Sequence, residues 1–145
     1  FTMLQEIIAR KLDMELGTYT HFVTSMHLYT ENVIKANQFK QEGFMSSEAV
    51  MPPMPAVNFE QNIRDVVMLE KDIREGKFSL SQVVTLESYW EDLVILLYIF
   101  SIKKKKSLCR SRRLELICET ESRLKNPQYI KYVQKIKSVL RKKAR

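Results

Sequence analysis

The sequence predicts an α+β fold that is predominantly helical, and three observations carry that prediction. The 145 residues include only three Gly and four Pro, too few turn formers for an all-β chain. Apolar residues recur three and four apart through most of the chain, the period of one helical face. One stretch, Thr18 to Thr30, departs from that period with a run of Thr, Tyr, Phe and Val, side chains that favour a pleated strand.

The elements follow in order. Phe1 to Asp13 places Leu4, Ile7, Ile8 and Leu12 on one face, widened by Met3 and Ala9, so a largely buried helix is expected. Gly17 is the expected stop, since the residue past a last turn often needs positive φ. In a strand from Thr18 to Thr30, Tyr19, His21, Val23, Ser25, His27 and Tyr29 share one face. A lone strand cannot satisfy its own backbone, so it requires a partner outside this sequence or a second copy. A helix from Thr30, its N-cap, to Glu42 buries Val33, Ile34 and Phe39.

Gly43 to Asn58 is a connector. The MPPMP at 51–55 excludes helix, because each Pro also drives its predecessor into extended geometry. A rigid link packed on the surface is the expected role, in preference to a polyproline ligand. Helices then succeed one another. Phe59 to Glu75 carries Ile63, Val66, Val67 and Ile73 and is closed by Gly76. A second, capped by Ser79, carries Val83, Val84, Tyr89, Trp90, Leu93, Leu97 and Phe100. A third spans about Leu108 to Leu124. Asn126 and Pro127 open a fourth with Ile130, Val133, Ile136 and Leu140. This divides the chain into residues 1–58, with helix, strand, helix and connector, and a helical extension over residues 59–145.

Composition bounds the function. Hydrophobic residues at 45% and charged residues at 28% suit a folded domain. The ten-residue run Leu93 to Ile102 is half of the roughly 20 residues a membrane span needs, so it reads as a buried helix segment and no membrane partner is expected. The chain opens at Phe1 with neither an initiator Met nor a signal-peptide pattern, as expected of a trimmed or incomplete polypeptide. Charge is unevenly divided: residues 1–100 carry 8 Lys+Arg against 14 Asp+Glu, and residues 101–145 carry 16 against 3. An appended basic arm is one meaning of such asymmetry. The runs SIKKKKSLCRSRR and LRKKAR are suited to phosphate contacts, but no aromatic residues interleave with them for base stacking. Nucleic acid or an acidic partner is therefore the rival expectation, beside a plain solvated junction between helices.

Candidate sites are few. His21 and His27 are the two histidines; on one strand face they stand roughly 20 Å apart, too far to share a metal ion. Either acts alone as acid, base or donor, or is satisfied inside the fold. Cys109 and Cys118 lack the further ligands of a zinc site. Neither has a neighbouring base to make it a nucleophile, although Arg110, Arg112 and Arg113 supply positive charge. With no disulfide framework, a reducing cytoplasm is the expected compartment. No Gly-rich phosphate loop, GxSxG or HExxH occurs. No catalytic residue and no metal ligand is assigned.

The stretch FTMLQEIIARKLDMELGTYTHFVTSMHLYTENV resembles the region of thymidylate synthases, and of the related deoxycytidylate hydroxymethylases, where a long helix leads into a strand ending in His-hydrophobic-Tyr. The resemblance covers about residues 1–39. It implies that His27 and Tyr29, with Leu28 between them, hydrogen-bond the sugar hydroxyl of a pyrimidine deoxynucleotide monophosphate, leaving His21 to structure. It also implies a homodimer paired through the sheet, with methylenetetrahydrofolate as one-carbon donor. The family commonly has an Asp two residues before the motif His, where this chain has Ser25. The family's nucleophilic Cys, its phosphate-binding Arg residues and its base-recognising Asp and Asn all precede the helix at which this sequence begins. Carbon-5 of a pyrimidine becomes nucleophilic only after a thiolate adds at carbon-6. The expectation is thus the C-terminal portion of a thymidylate-synthase-like enzyme, inactive as this chain alone.

Overall fold

Helix α1 (Thr2–Lys11) is closed by Asp13, which takes a left-handed φ of 53°. In the computed structural model, which describes residues 1–41, 51–83 and 85–142, the Met14 N–H bonds to the Ala9 carbonyl at 2.9 Å and the Asp13 N–H to that of Arg10 at 3.3 Å. This crossed pair ends a helix around a left-handed residue, a geometry Asp tolerates because its short polar side chain can bond locally. The expected stop at Gly17 is thereby corrected. Gly17 only offers its carbonyl to the Gln5 side-chain amide at 3.0 Å. The expected burial of α1 is corrected too: Leu4 and Ile8 are exposed, and Ile7 packs at the margin of a core.

Thr18 to Tyr29 has no regular secondary structure and is exposed throughout. The helical part of the predicted fold class is present, whereas no strand is found among the described residues. A strand exists only as part of a ladder, and the β-prone side chains of this stretch have no second strand to pair with. A 3-10 turn over Thr30–Asn32 then leads into α2 (Val33–Gln41). Thr30 therefore starts a tighter turn instead of capping the α-helix. Val33, Ile34 and Phe39, expected on a buried side, are all exposed.

Residues 42–50 of the expected connector lie outside the described residues. Its proline-bearing part is extended and packs inward: Met54 is 1% exposed, and its N–H bonds to the Glu6 carboxylate at 2.8 Å. The connector therefore joins a core instead of lying over one. Asn58, at φ 50°, opens α3 (Phe59–Glu75). Gly76, at φ 74°, closes it with the Lys77 N–H bonded to the Asp72 carbonyl at 2.9 Å, as its sequence signature predicts.

The single helix expected after Ser79 is broken. Leu80–Val83 is a 3-10 turn, and α4 runs Ser88–Lys104. Val84, expected in the core, lies outside the described residues. Helices α5 (Arg110–Glu121) and α6 (Pro127–Lys142) complete the extension. The side chain of Asn126 caps α6 by accepting the Gln128 N–H at 3.0 Å. Each helix from α3 onward packs against the next.

Two cores result. The first gathers Met54, Phe59, Leu69, Ile73, Val83, Leu86, Tyr89, Trp90 and Val94 between α3 and the first half of α4. The second gathers Ile95, Ile99, Ile102, Ile117, Val133 and Leu140 between the rest of α4, α5 and α6. Helix α4 is apolar on nearly every side because it serves both cores. The expected stripe of α3 is largely present: Ile73 is buried and Ile63 and Val66 pack against the first core, joined by Phe59 and Leu69, while Val67 is exposed. On α4, Tyr89 and Trp90 are buried and Leu93 packs against the core as expected, whereas Leu97 and Phe100 stay open and Ile95 and Ile99 are buried in their stead.

Candidate ligand-binding site

His27 and Tyr29 stand on the extended segment just before the 3-10 turn, where Tyr29 has φ −65° and ψ 141°. Alternation in extended backbone sends residues two apart to one side. Their rings meet accordingly, edge to face, with centroids 5.1 Å apart and planes at 87°. Both are exposed, and among the described residues neither side chain makes a hydrogen bond. The pair thus presents an imidazole and a phenol hydroxyl outward, both able to donate and accept.

His21 is placed differently. Its Nδ1 lies 2.8 Å from the Tyr19 hydroxyl. Phe1 stacks on Tyr19 with centroids 6.5 Å apart and approaches His21 at 6.2 Å. Phe1, Tyr19 and His21 form one small cluster, and His27 with Tyr29 form another.

The remaining candidates occupy other surfaces. Cys109 is exposed at the start of α5, with its thiol 3.4 Å from the Ser111 hydroxyl. That hydrogen bond, with the Arg112 N–H, holds the thiol below its ordinary range. Cys118 is exposed as well. Among the described residues, no group of three or more His, Cys, Asp or Glu could hold a metal ion. No helix among them is long and apolar enough to cross a membrane.

The basic run has partly structural work. Arg113 donates from Nη1 to the Lys103 carbonyl at 3.0 Å, which occupies an open acceptor at the end of α4. Arg112 pairs with Glu115 at 2.6 Å, and the guanidinium is held more firmly protonated by that carboxylate. On α6, Lys137 pairs with Glu121 of α5. The final LRKKAR lies mostly outside the described residues.

Sequence reasoning did not find a polar line through the helical half. Asp92, nearly fully buried on α4, accepts the N–H groups of Lys125 and Asn126 at 2.8 and 2.9 Å. Tyr89 and Tyr129 are buried close by, and neither hydroxyl has a hydrogen-bond partner. Burial, then the Glu6 carboxylate, pushes the Tyr89 phenol up to about 12, and burial with Asp92 nearby raises Tyr129. A cleft of about 380 Å³ between Pro53, Tyr89, Asp92 and Pro127 opens beside them. No local pattern announces this line, since its members come from α1, α4 and α6.

No family model, curated protein or solved structure matches the chain.

Proposed function

We propose that this chain is the C-terminal portion of a thymidylate-synthase-like enzyme, in which His27 and Tyr29 hold the sugar hydroxyl of a pyrimidine deoxynucleotide monophosphate. The observation that supports the reading is the exposed edge-to-face pair of His27 and Tyr29, two adjacent polar rings whose side chains make no hydrogen bond among the described residues. A hydroxyl that both donates and accepts is the natural complement of an imidazole beside a phenol. In the whole enzyme the reaction is transfer of a one-carbon unit from methylenetetrahydrofolate to the pyrimidine. Three clefts of the described residues are lined by side chains other than His27 and Tyr29.

The surroundings of the pair support the reading. Phe22, Met26, Leu28, Ile34 and Phe39 are all exposed, a density of open apolar surface that marks a covered face in an assembly. Pairing of Thr18 to Tyr29 with a second copy or an upstream strand would bury this row and complete the α+β architecture. A homodimer follows where that pairing is with a second copy.

Calorimetric titration with deoxyuridine and deoxycytidine monophosphates tests the proposal. Binding that weakens about tenfold in both His27→Ala and Tyr29→Phe is expected, the loss of one hydrogen bond each. Binding indifferent to both substitutions overturns it.

One observation favours a second reading, a non-catalytic interaction module. No acidic residue falls between Asp92 and Glu115, so Lys103, Lys106 and Arg110 gather at the α4–α5 turn with no carboxylate in that interval. Salt-sensitive retention of DNA without nucleotide binding is the outcome that selects it.

A further inference from the structure

A cleft of about 760 Å³ lies where the end of α3, the second half of α4 and the turn into α5 meet, within the range of small-molecule sites. Its lining combines an apolar side with charged side chains. Ile73 and Phe78 come from the α3 end, and Leu97 and Phe100 come from α4. Phe78 is braced by Tyr98, ring centroids 4.7 Å apart, which stiffens that wall. Leu97 and Phe100 stay open to solvent although their helix is otherwise deeply buried.

Charge at the rim is one-sided. The acids at the cleft are already paired: Glu70 with Arg74 at 3.2 Å, and Glu75 with Lys77 at 2.7 Å. Lys104 lies over the Phe100 ring, 4.4 Å from its centroid, and Lys105 follows at the helix end. Neither lysine has an ion-pair partner among the described residues. A cation over a ring face retains its charge for a third party. The cleft therefore combines an apolar trough with uncompensated positive charge at one end.

We propose that this cleft binds a monomeric anionic amphiphile, one carboxylate or phosphate head held by Lys104 and Lys105 with an aliphatic chain laid along Phe100, Leu97 and Phe78. A polymer such as single-stranded nucleic acid wants cations tracking along a groove. Here the unpaired cations are two neighbours at the end of α4, and the apolar side chains Phe78, Leu97 and Phe100 lie beside them, which matches one head and one tail. The lysine stems are long enough to follow a head of either chemistry. None of these residues belongs to the nucleotide reading, so the two proposals stand or fall separately.

Amide-resolved NMR titration of the whole chain tests it, with dodecanoate, dodecyl phosphate and dodecanol below their aggregation concentrations. Both anions are expected to shift Phe78, Leu97, Phe100 and Lys104 saturably, with dodecanol about tenfold weaker, as two nearby surface charges predict. The double variant Lys104→Glu with Lys105→Glu, both exposed and tolerant of change, is expected to lose that tenfold and leave dodecanol unaffected. A preference for one of the two anions identifies the head. Equal binding of the alcohol, anion binding unchanged in the double variant, shifts confined to residues 1–41, or a response only to anionic lipid vesicles overturns the proposal.

Discussion

The carboxylate of Asp92 accepts the backbone N–H of Asn126 at 2.9 Å, tying α4 to the start of α6 across 34 residues of chain. Its other oxygen accepts the neighbouring N–H of Lys125, so one buried side chain sets where the last helix begins. Asp92→Ala leaves two amides without acceptors and is expected to lower stability by about 2–4 kcal/mol. Asp92→Asn, which retains one acceptor, costs about half as much. Urea unfolding followed by circular dichroism measures both, and a loss below about 0.5 kcal/mol for the alanine, the level of an ordinary surface substitution, counts against this role.

Met54 distinguishes a connector built into the core from one laid over it. Met54→Ala is expected to cost about 2–5 kcal/mol, the range for emptying a packed methionine site. Met51→Ala, at a half-exposed position in the same stretch, changes stability by less than about 0.5 kcal/mol. Equal midpoints for the two variants in denaturant would remove the connector from the core.

Gly76 and Gly17 make a paired test of backbone geometry. Gly76 holds φ 74° at the end of α3, so Gly76→Ala is expected to cost about 1 kcal/mol in strain. Gly17 is not in the left-handed region, and a Cβ there meets nothing within 4 Å. Gly17→Ala should be neutral in thermal unfolding.

Tyr89 titrates late. Its phenol is pushed up to about 12 in the folded chain, above the ordinary value of 10.0. Between those two values the unfolded chain has released a proton that the folded chain keeps, so stability falls as pH rises from about 10 to about 12. Below pH 10 the contribution is fully present. Phenolate absorbance should reveal late titration of two tyrosines, Tyr89 and Tyr129, with the Tyr89 part lost in Tyr89→Phe. Since the hydroxyl has no hydrogen-bond partner, that variant is expected to be at least as stable at neutral pH.

The exposed row on residues 1–41 predicts self-association. Phe22 and Met26 are about nine-tenths exposed, far more open than side chains of that size are usually left. Sedimentation at rising concentration is expected to show dimers. Phe22→Asp with Met26→Asp should return the chain to monomer without changing its helical content. A wild-type chain that stays monomeric at high micromolar concentration removes the homodimer.

The amino-acid sequence by itself determined the helical extension and several of its boundaries. Gly76 and the Asn126–Pro127 pair act through backbone geometry and side chains within one turn, so their effect is legible without knowing the fold. The alternation expected of a strand put His27 and Tyr29 on one face; the strand is absent, yet the two rings are neighbours. Only the tertiary structure decided the rest. Asp13 in place of Gly17 closes α1, Met54 enters the core, and α4 turns Leu97 and Phe100 outward while burying Asp92. Each of these depends on which surfaces meet, and partners brought together from distant positions leave no mark in local spacing. The Thr18 to Tyr29 segment shows the same division: its side chains favour a strand, but a strand forms only when another backbone lies beside it.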